Sequence, residues 1–416
     1  MEIQKTDDGG WRTDDPMQHQ GWLTRAAPRP LCAILFLAAS PLWVACSDAP
    51  EQVGASLAVA EAMAGDTAGY ARATAPRPFT WPADHGPHPD FRIEWWYATG
   101  NLRATNGSGR RFGYQFTIFR TALAPDTGQT RRASAWATRQ LYMAHVTLSD
   151  LDAGRFYHRE SFQRGAVGLA GAQADPLRVW LGPNELRGGS TPADDGVPPL
   201  AIRAVADGGA RYDLRLRSTR PPVLQGDRGL SAKGPEPGNA SFYYSLTRLA
   251  TSGVVTVGGE AIPVEGLSWL DREWSTSALG AGVVGWDWFA LHLDDGRDLM
   301  LYRLRRTDGS ADRFSRGTLV DADGTARAFG IGDFSLEPEG TWDSPRGGTY
   351  PARWRVRIPS EQIELRVTPT MADQELDATI RYWEGAVDVA GTQTGRGYLE
   401  MTGYDEQGGA RTAPSE

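Results

Sequence analysis

The chain has 416 residues, 40% hydrophobic and 23% charged, with a formal net charge of -8. That length allows two or three domains, and the acidic balance argues against a phosphate-backbone partner, so no nucleic acid is expected. With 49 Gly and 27 Pro, turns are plentiful and long helices are not expected.

Fifteen Trp, 13 Tyr and 13 Phe make a heavy aromatic load. Such residues pack barrels and sandwiches, and they also line pockets for apolar or cationic species. The 43 Lys and Arg are spread along strand-like segments such as 211–217 and 303–306, without a basic tail. These charges read as solvated strand faces.

Residues 31–46 read LCAILFLAASPLWVAC, an apolar stretch of signal-peptide length that is short for a bilayer span. Arg25 and Arg29 supply the positive flank, and Met17 offers an alternative start because 1–16 is polar and acidic. The stretch closes on Trp43-Val44-Ala45-Cys46, which resembles a bacterial lipobox with Cys46 as the lipidation site. The alternative is an ordinary cleaved secretory signal. Cys32 and Cys46 are the only cysteines, so the mature body can form no internal disulfide. Residues 1–46 are therefore expected to be leader and signal peptide, and the protein exported. A periplasmic location is expected, with a lipid anchor at the outer membrane if Cys46 is modified. Residues 47–80 follow as a flexible tether, Ala/Gly-rich over most of their length.

From residue 91 the dominant signal is alternation. The segments 112–120 (FGYQFTIFR), 142–148 (YMAHVTL), 212–217 (YDLRLR), 242–248 (FYYSLTR), 286–293 (WDWFALHL), 299–305 (LMLYRLR), 354–358 (WRVRI) and 363–367 (IELRV) are short and rich in β-branched or aromatic residues. Asp/Asn-Gly turns separate them, at 105–107, 152–154, 294–296, 308–309 and 321–324. The body is all-β, as antiparallel barrels or sandwiches. The loop 183–199 is polar and reads as exposed.

A weak repeat runs through this body. Glu94-Trp95-Trp96-Tyr97-Ala98 and Trp286-Asp287-Trp288-Phe289-Ala290 each open a set of strands separated by similar turns. Two tandem copies of one module account for it. The first is placed at 81–266 and the second at 267–406, with a junction near 263–267 and a disordered tail at 407–416.

The runs HPDFRIEWWYATGNL (88–102), GLSWLDREWSTSALG (266–280) and GWDWFALHLDDGRDLMLYRLR (285–305) resemble the AttH/CrtC-type family. Carotenoid 1,2-hydratases and predicted secreted hydrolases belong to it. The resemblance covers about 80–405 in the expected order. It implies two tandem lipocalin-like antiparallel β-barrel domains with a ligand site near their junction.

Hydrating an alkene needs a proton donor, a surface that tolerates a cation, and a water. A carboxylic acid whose pKa is raised by burial can be the donor, and Trp or Tyr faces can stabilise the cation. A barrel mouth lined with aromatics could supply both. In Trp269-Leu270-Asp271-Arg272-Glu273-Trp274, strand alternation puts Trp269, Asp271 and Glu273 on one face and Leu270, Arg272 and Trp274 on the other. Asp271 is the first candidate acid, and the carotenoid hydratases resemble this chain in having an Asp among aromatics in the linking segment. The alternative is a structural ion pair of Asp271 with Arg272.

Glu94 is a second candidate, beside Trp95 and Trp96. A buried carboxylate there must meet an Arg or sit in a pocket. His145 is either a proton shuttle or a hydrogen-bonded core residue, and the same choice applies to His292. His85 and His88, in a Pro/Gly loop, read as exposed. Asp287 is either a second acid or outward-facing. Trp95, Trp96, Tyr244, Trp269, Trp274, Trp286 and Asp287 are the candidate substrate contacts.

No complete Gly-x-Ser-x-Gly elbow, His-Glu-x-x-His or Cys cluster occurs, so neither metal nor cofactor is expected. The sequence thus suggests a cell-envelope, carotenoid 1,2-hydratase-like hydratase or hydrolase for a hydrophobic, isoprenoid-type substrate. The alternative is a non-catalytic lipoprotein that binds lipid or another hydrophobic ligand, with an ABC transporter as partner.

Overall fold

The computed structural model describes residues 67–125, 134, 136–189, 196–276, 279–280 and 282–404. The leader with Cys46, the expected tether as far as residue 66 and the tail from 405 lie outside them, whereas residues 67–80 are not tether, since Ala73 is buried in the first core and Phe79 packs against it. Among the described residues, all regular structure is strand apart from three short 3-10 turns.

The first sheet begins with the meander β1 (Ile93–Ala104), β2 (Arg111–Ala122), β3 (Gln140–Asp150) and β4 (Arg155–Arg164). It continues through β5 (Ala170–Ala174), β6 (Leu177–Leu181), β7 (Asn184–Gly188), β8 (Leu200–Val205) and β9 (Arg211–Ser218). Short strands β10 (Val223–Leu224) and β11 (Leu230–Ala232) flank the long β12 (Ala240–Val257), which leads to β13 (Glu260–Ser275). β13 returns to pair with β1, in the register Trp96 opposite Arg272. The order β4-β3-β2-β1-β13-β12-β9-β8-β7-β6-β5 curls into a nearly closed barrel whose edges, β4 and β5, are consecutive in the chain.

The second sheet repeats the plan. β14 (Val283–Leu293), β15 (Asp298–Arg306), β16 (Arg316–Val320) and β17 (Ala326–Gly330) form its meander. β18 (Ser335–Asp343), β19 (Thr349–Ile358), β20 (Ile363–Pro369), β21 (Glu375–Leu376), β22 (Tyr382–Gly391) and β23 (Gly395–Thr402) complete it. The order is β17-β16-β15-β14-β23-β22-β20-β19-β18. This sheet curls into a half-barrel. In both sheets the first strand lies between the second and the last, and the ladder breaks after the fourth strand.

Alternation drives this arrangement. In β9 the residues Tyr212, Leu214 and Leu216 are buried in the first core while Arg211, Asp213, Arg215 and Arg217 are exposed. Phe289, Leu291, Leu293, Leu299 and Leu301 do the same for the second core. Each fully buried side chain of this size contributes about 1.5–3 kcal/mol. Gly296 (φ 91°) and Gly324 (φ 91°) hold the left-handed backbone that tight turns require.

Several expectations change. The change of sheet comes between Ser275 and Val283, whereas residues 263–267 lie inside β13. Part of the loop 183–199 is strand β7, with Asn184 and Leu186 buried. Arg303 and Arg305 are not on a solvated face; they turn into the second barrel to meet a buried carboxylate. His85 and His88 are not exposed either. The turn that carries them plugs one end of the first barrel, where His85 Nδ1 meets the Tyr244 hydroxyl at 2.6 Å and His88 stacks on Trp274 at 3.7 Å.

Candidate active site

A strand with both faces buried must send alternate residues to two different places. In β1, Glu94 and Trp96 point into the first barrel, while Trp95 and Tyr97 point out of it toward the second. In β14, Asp287 and Phe289 point into the second barrel, while Trp286 and Trp288 point toward the first. The outward residues of the two barrels enclose a cavity of about 370 Å³. The site is therefore between the barrels, not in the mouth of either.

Side-chain bonds join the two barrels around it. Asn101 Nδ2 donates to the Gly397 carbonyl at 2.9 Å, and Ser149 Oγ to Gln374 Oε1 at 2.7 Å. His145 links β3 to the second barrel through Tyr382, and its Nε2 meets Glu160 at 2.9 Å. Glu160 in turn accepts from Thr379 Oγ1 at 2.7 Å.

Asp271 lines this cavity from β13. Its Oδ2 accepts from the Tyr243 hydroxyl at 2.6 Å. Its Oδ1 accepts from Ser245 Oγ at 2.6 Å and from Trp269 Nε1 at 2.7 Å. Burial pushes the carboxyl up to about 7, against the Ser245, Tyr243 and Trp269 donors that favour its anion. The Trp288 indole donates to the Tyr243 hydroxyl at 3.3 Å, so a residue of the second barrel supports the acid of the first. Arg272 points to the opposite face, and Asp271 is not its partner.

Three more carboxyls stand close by. Glu273 accepts from Ser241 and meets Lys233 Nζ at 3.2 Å. Glu400, on β23, accepts from Trp286 Nε1 at 3.0 Å. Burial pushes it up to about 8, and the charges of Asp271 and Glu273 add to that. Glu384 is its cross-strand neighbour on β22 and is raised well above the carboxylate range, first by burial and then by Glu400. Lys233 also lies 4.5 Å from the centre of the Tyr302 ring.

The other sequence candidates divide between two environments. Trp95, Trp286 and His145 line the cavity. His145 is fully buried with both ring nitrogens engaged. Trp269 is one layer back and holds Asp271. Trp96, Tyr244 and Trp274 are inside the first barrel and do not line this cavity, because their strand positions alternate away from it. Trp96 Nε1 donates to the His85 carbonyl at 2.8 Å, and the Arg272 guanidinium sits 3.9 Å over its ring.

Glu94 reaches the cavity edge but is fully buried between Arg120 and Arg272. Burial pushes its carboxyl up, but the Arg272 and Arg120 guanidiniums outweigh that and hold it far below the usual range. It has no proton to give near neutral pH. Asp287 is the matching group in the second barrel, bonded to Arg303 Nε at 2.8 Å, Arg305 Nη1 at 3.3 Å and the Tyr404 hydroxyl at 2.8 Å. His292 is a core residue whose Nε2 meets the Thr247 carbonyl at 2.7 Å. Sequence reading missed Tyr243, Trp288, Glu400, Glu384 and Lys233. The aromatic pairs Tyr243-Tyr244 and Trp286-Asp287-Trp288 signal an aromatic strand without saying which member faces the site.

The AttH-like family model matches residues 72–404. The chain belongs to the AttH-like family. A crystal structure of an AttH protein from Nitrosomonas europaea is similar at 38% identity and a TM-score of 0.70, covering 80% of this chain and 99% of that one. Among curated proteins, this chain is similar to the dehydratase asqC of Emericella nidulans, 25% identical over 235 residues (54% of this chain, 64% of the relative). Kievitone hydratase of Fusarium solani subsp. phaseoli is 25% identical over 216 residues (48% of this chain, 59% of the relative). The match thus spans less than two thirds of either curated relative. At this low identity, the sequence relatives are hydratase- and dehydratase-like.

Proposed function

We propose that this chain is a hydratase of the cell envelope that adds water to a carbon–carbon double bond in a hydrophobic, isoprenoid-type substrate. The substrate occupies the cavity between the barrels, and Asp271 is the general acid. The observation that carries this reading is a carboxyl held near neutrality in an aromatic-walled cavity. Such a group is about half protonated at pH 7, and the nearby Lys233 is committed to Glu273. Trp95, Trp286, Trp288 and Tyr97 border the same space and offer ring faces to a developing cation. The hydratase and dehydratase relatives support this reaction class. The apolar run 31–46 ending in Cys46 supports export and a lipid anchor.

The test uses kievitone and geranylgeraniol as probes, incubated with the purified protein in isotopically labelled water. Wild-type protein is expected to yield the product heavier by one labelled water. Asp271→Asn is expected to lower turnover about 10²- to 10⁴-fold, the usual range for loss of a positioned acid. Retained turnover in Asp271→Asn would remove Asp271 from the role. A probe that binds tightly and returns unchanged points instead to a carrier, the reading that an apolar cavity alone would also fit.

A further inference from the structure

Adding water across a double bond takes two proton transfers, one to carbon and one from the attacking water. Asp271 can perform one of them. Its two oxygens already accept three hydrogen bonds, which leaves one acceptor site, on Oδ2. Glu273 is committed to Ser241 and Lys233. Glu94 is locked between two arginines.

Glu400 differs from all of these. It faces the cavity from the opposite wall, on the second barrel, and is only half-buried. Among the described residues only Trp286 donates to it, at Oε1. Its cross-strand neighbours are Trp288 and Glu384. Trp288 in turn reaches Asp271 through the Tyr243 hydroxyl. The titratable groups facing Glu400 are Asp271, Glu273 and Lys233 from the first barrel's side, Tyr97 on β1, and Glu384 and Tyr382 on β22.

We propose that Glu400 is the second catalytic carboxyl of this site, working across the cavity from Asp271. This rests on the hydratase reading above. In hydration the Asp271 carboxyl gives its proton to one alkene carbon, and the π pair becomes the new C–H bond. Water oxygen forms the C–O bond to the adjacent carbon, and the proton it sheds goes to the Glu400 carboxylate. Asp271 ends as the anion and Glu400 as the acid, and one proton passing back through water restores the pair. Dehydration runs the same steps in reverse. Burial raises Asp271 to about 7 and Glu400 to about 8, the Asp271 charge adding to the rise of Glu400, so the reactive arrangement with the proton on Asp271 is the less populated one.

Infrared difference spectra of the purified protein between pH 5 and pH 10 test this without a substrate. The protonated-carboxyl band of the wild type is expected to fade in two steps near neutrality. Glu400→Gln, with its fold checked by circular dichroism, is expected to lose the more alkaline step and keep the other. Trp286→Phe removes the donor that favours the anion and is expected to move that step to higher pH. With whichever probe the wild type hydrates, Glu400→Gln is expected to lower kcat about 10²-fold or more while KM changes little. An unchanged pair of infrared steps in Glu400→Gln, or an unchanged kcat, overturns the assignment. Inactive Asp271→Asn beside fully active Glu400→Gln refutes Glu400 alone. Active Asp271→Asn, or a wild type that hydrates neither probe, counts against the hydratase reading and everything built on it.

Discussion

The plugs inside the two barrels and the Asp271–Glu400 part of the cavity between them treat carboxylates in opposite ways, whereas Asp298, buried between the barrels, is itself held by Arg220 and Arg248. Inside each barrel an acid is fixed by two arginines: Glu94 by Arg120 and Arg272, Asp287 by Arg303 and Arg305. Each pair leans on an indole, Arg272 on Trp96 at 3.9 Å and Arg303 on Trp354 at 4.8 Å. Between the barrels, Asp271 and Glu400 border the cavity with Glu384 beside Glu400, and the nearby Lys233 is committed to Glu273. Paired charges make rigid plugs, whereas carboxyls without counter-ions keep protons. The difference separates a fold-holding acid from a chemically useful one, although both kinds lie buried beside tryptophan.

The largest effect should come from breaking a plug. Glu94→Gln leaves Arg120 and Arg272 buried without their anion, and is expected to cost about 3–5 kcal/mol in urea unfolding at pH 7. Asp287→Asn is the matched change in the second barrel, with about 3 kcal/mol expected. Hydrogen exchange should localise the loss to β14 and β15, leaving β1 and β2 protected. Equal exchange in both barrels would mean that they do not hold their plugs independently.

Between the barrels the sign reverses. The folded pKa of Asp271 is raised from 3.8 to about 7. Between those values the folded chain binds a proton that the unfolded chain has lost, so stability falls as pH rises. The contribution is fully present below about pH 4 and lost above about pH 7. Asp271→Asn removes that loss. Its stability relative to wild type is therefore expected to improve by roughly 2–4 kcal/mol between pH 4 and pH 9. A flat difference across this range would show that Asp271 is ionised throughout. The smallest effect belongs to the outer face of the first barrel. Arg203→Ala breaks an exposed pair with Asp213, and is expected to change stability by less than about 1 kcal/mol.

Much of this was legible in the chain. The alternation in 212–217 and 286–293 is that of strands with one face in a core. The matching runs EWWYA and WDWFA mark β1 and β14, which occupy the same place in two sheets of the same order. The split of 269–274 into two faces also stands, with Asp271 and Glu273 at the cavity and Arg272 and Trp274 in the barrel. Less legible was which face is which when both are buried. Trp96 and Trp95 look alike in sequence, yet one is a plug and the other a cavity wall. Glu400 carries no local signal at all, because its place depends on β23 closing the second barrel against β14.

By itself the sequence determined the strand pattern, the duplicated plan and the presence of acids among aromatics, since these follow from spacing along one chain. Only the tertiary structure decided where each acid stands. A carboxyl's chemistry depends on the charges around it, and those come from strands far apart in sequence. Arg120 and Arg272 reach Glu94 from 26 and 178 residues away, and the group facing Asp271 across the cavity arrives from the other barrel.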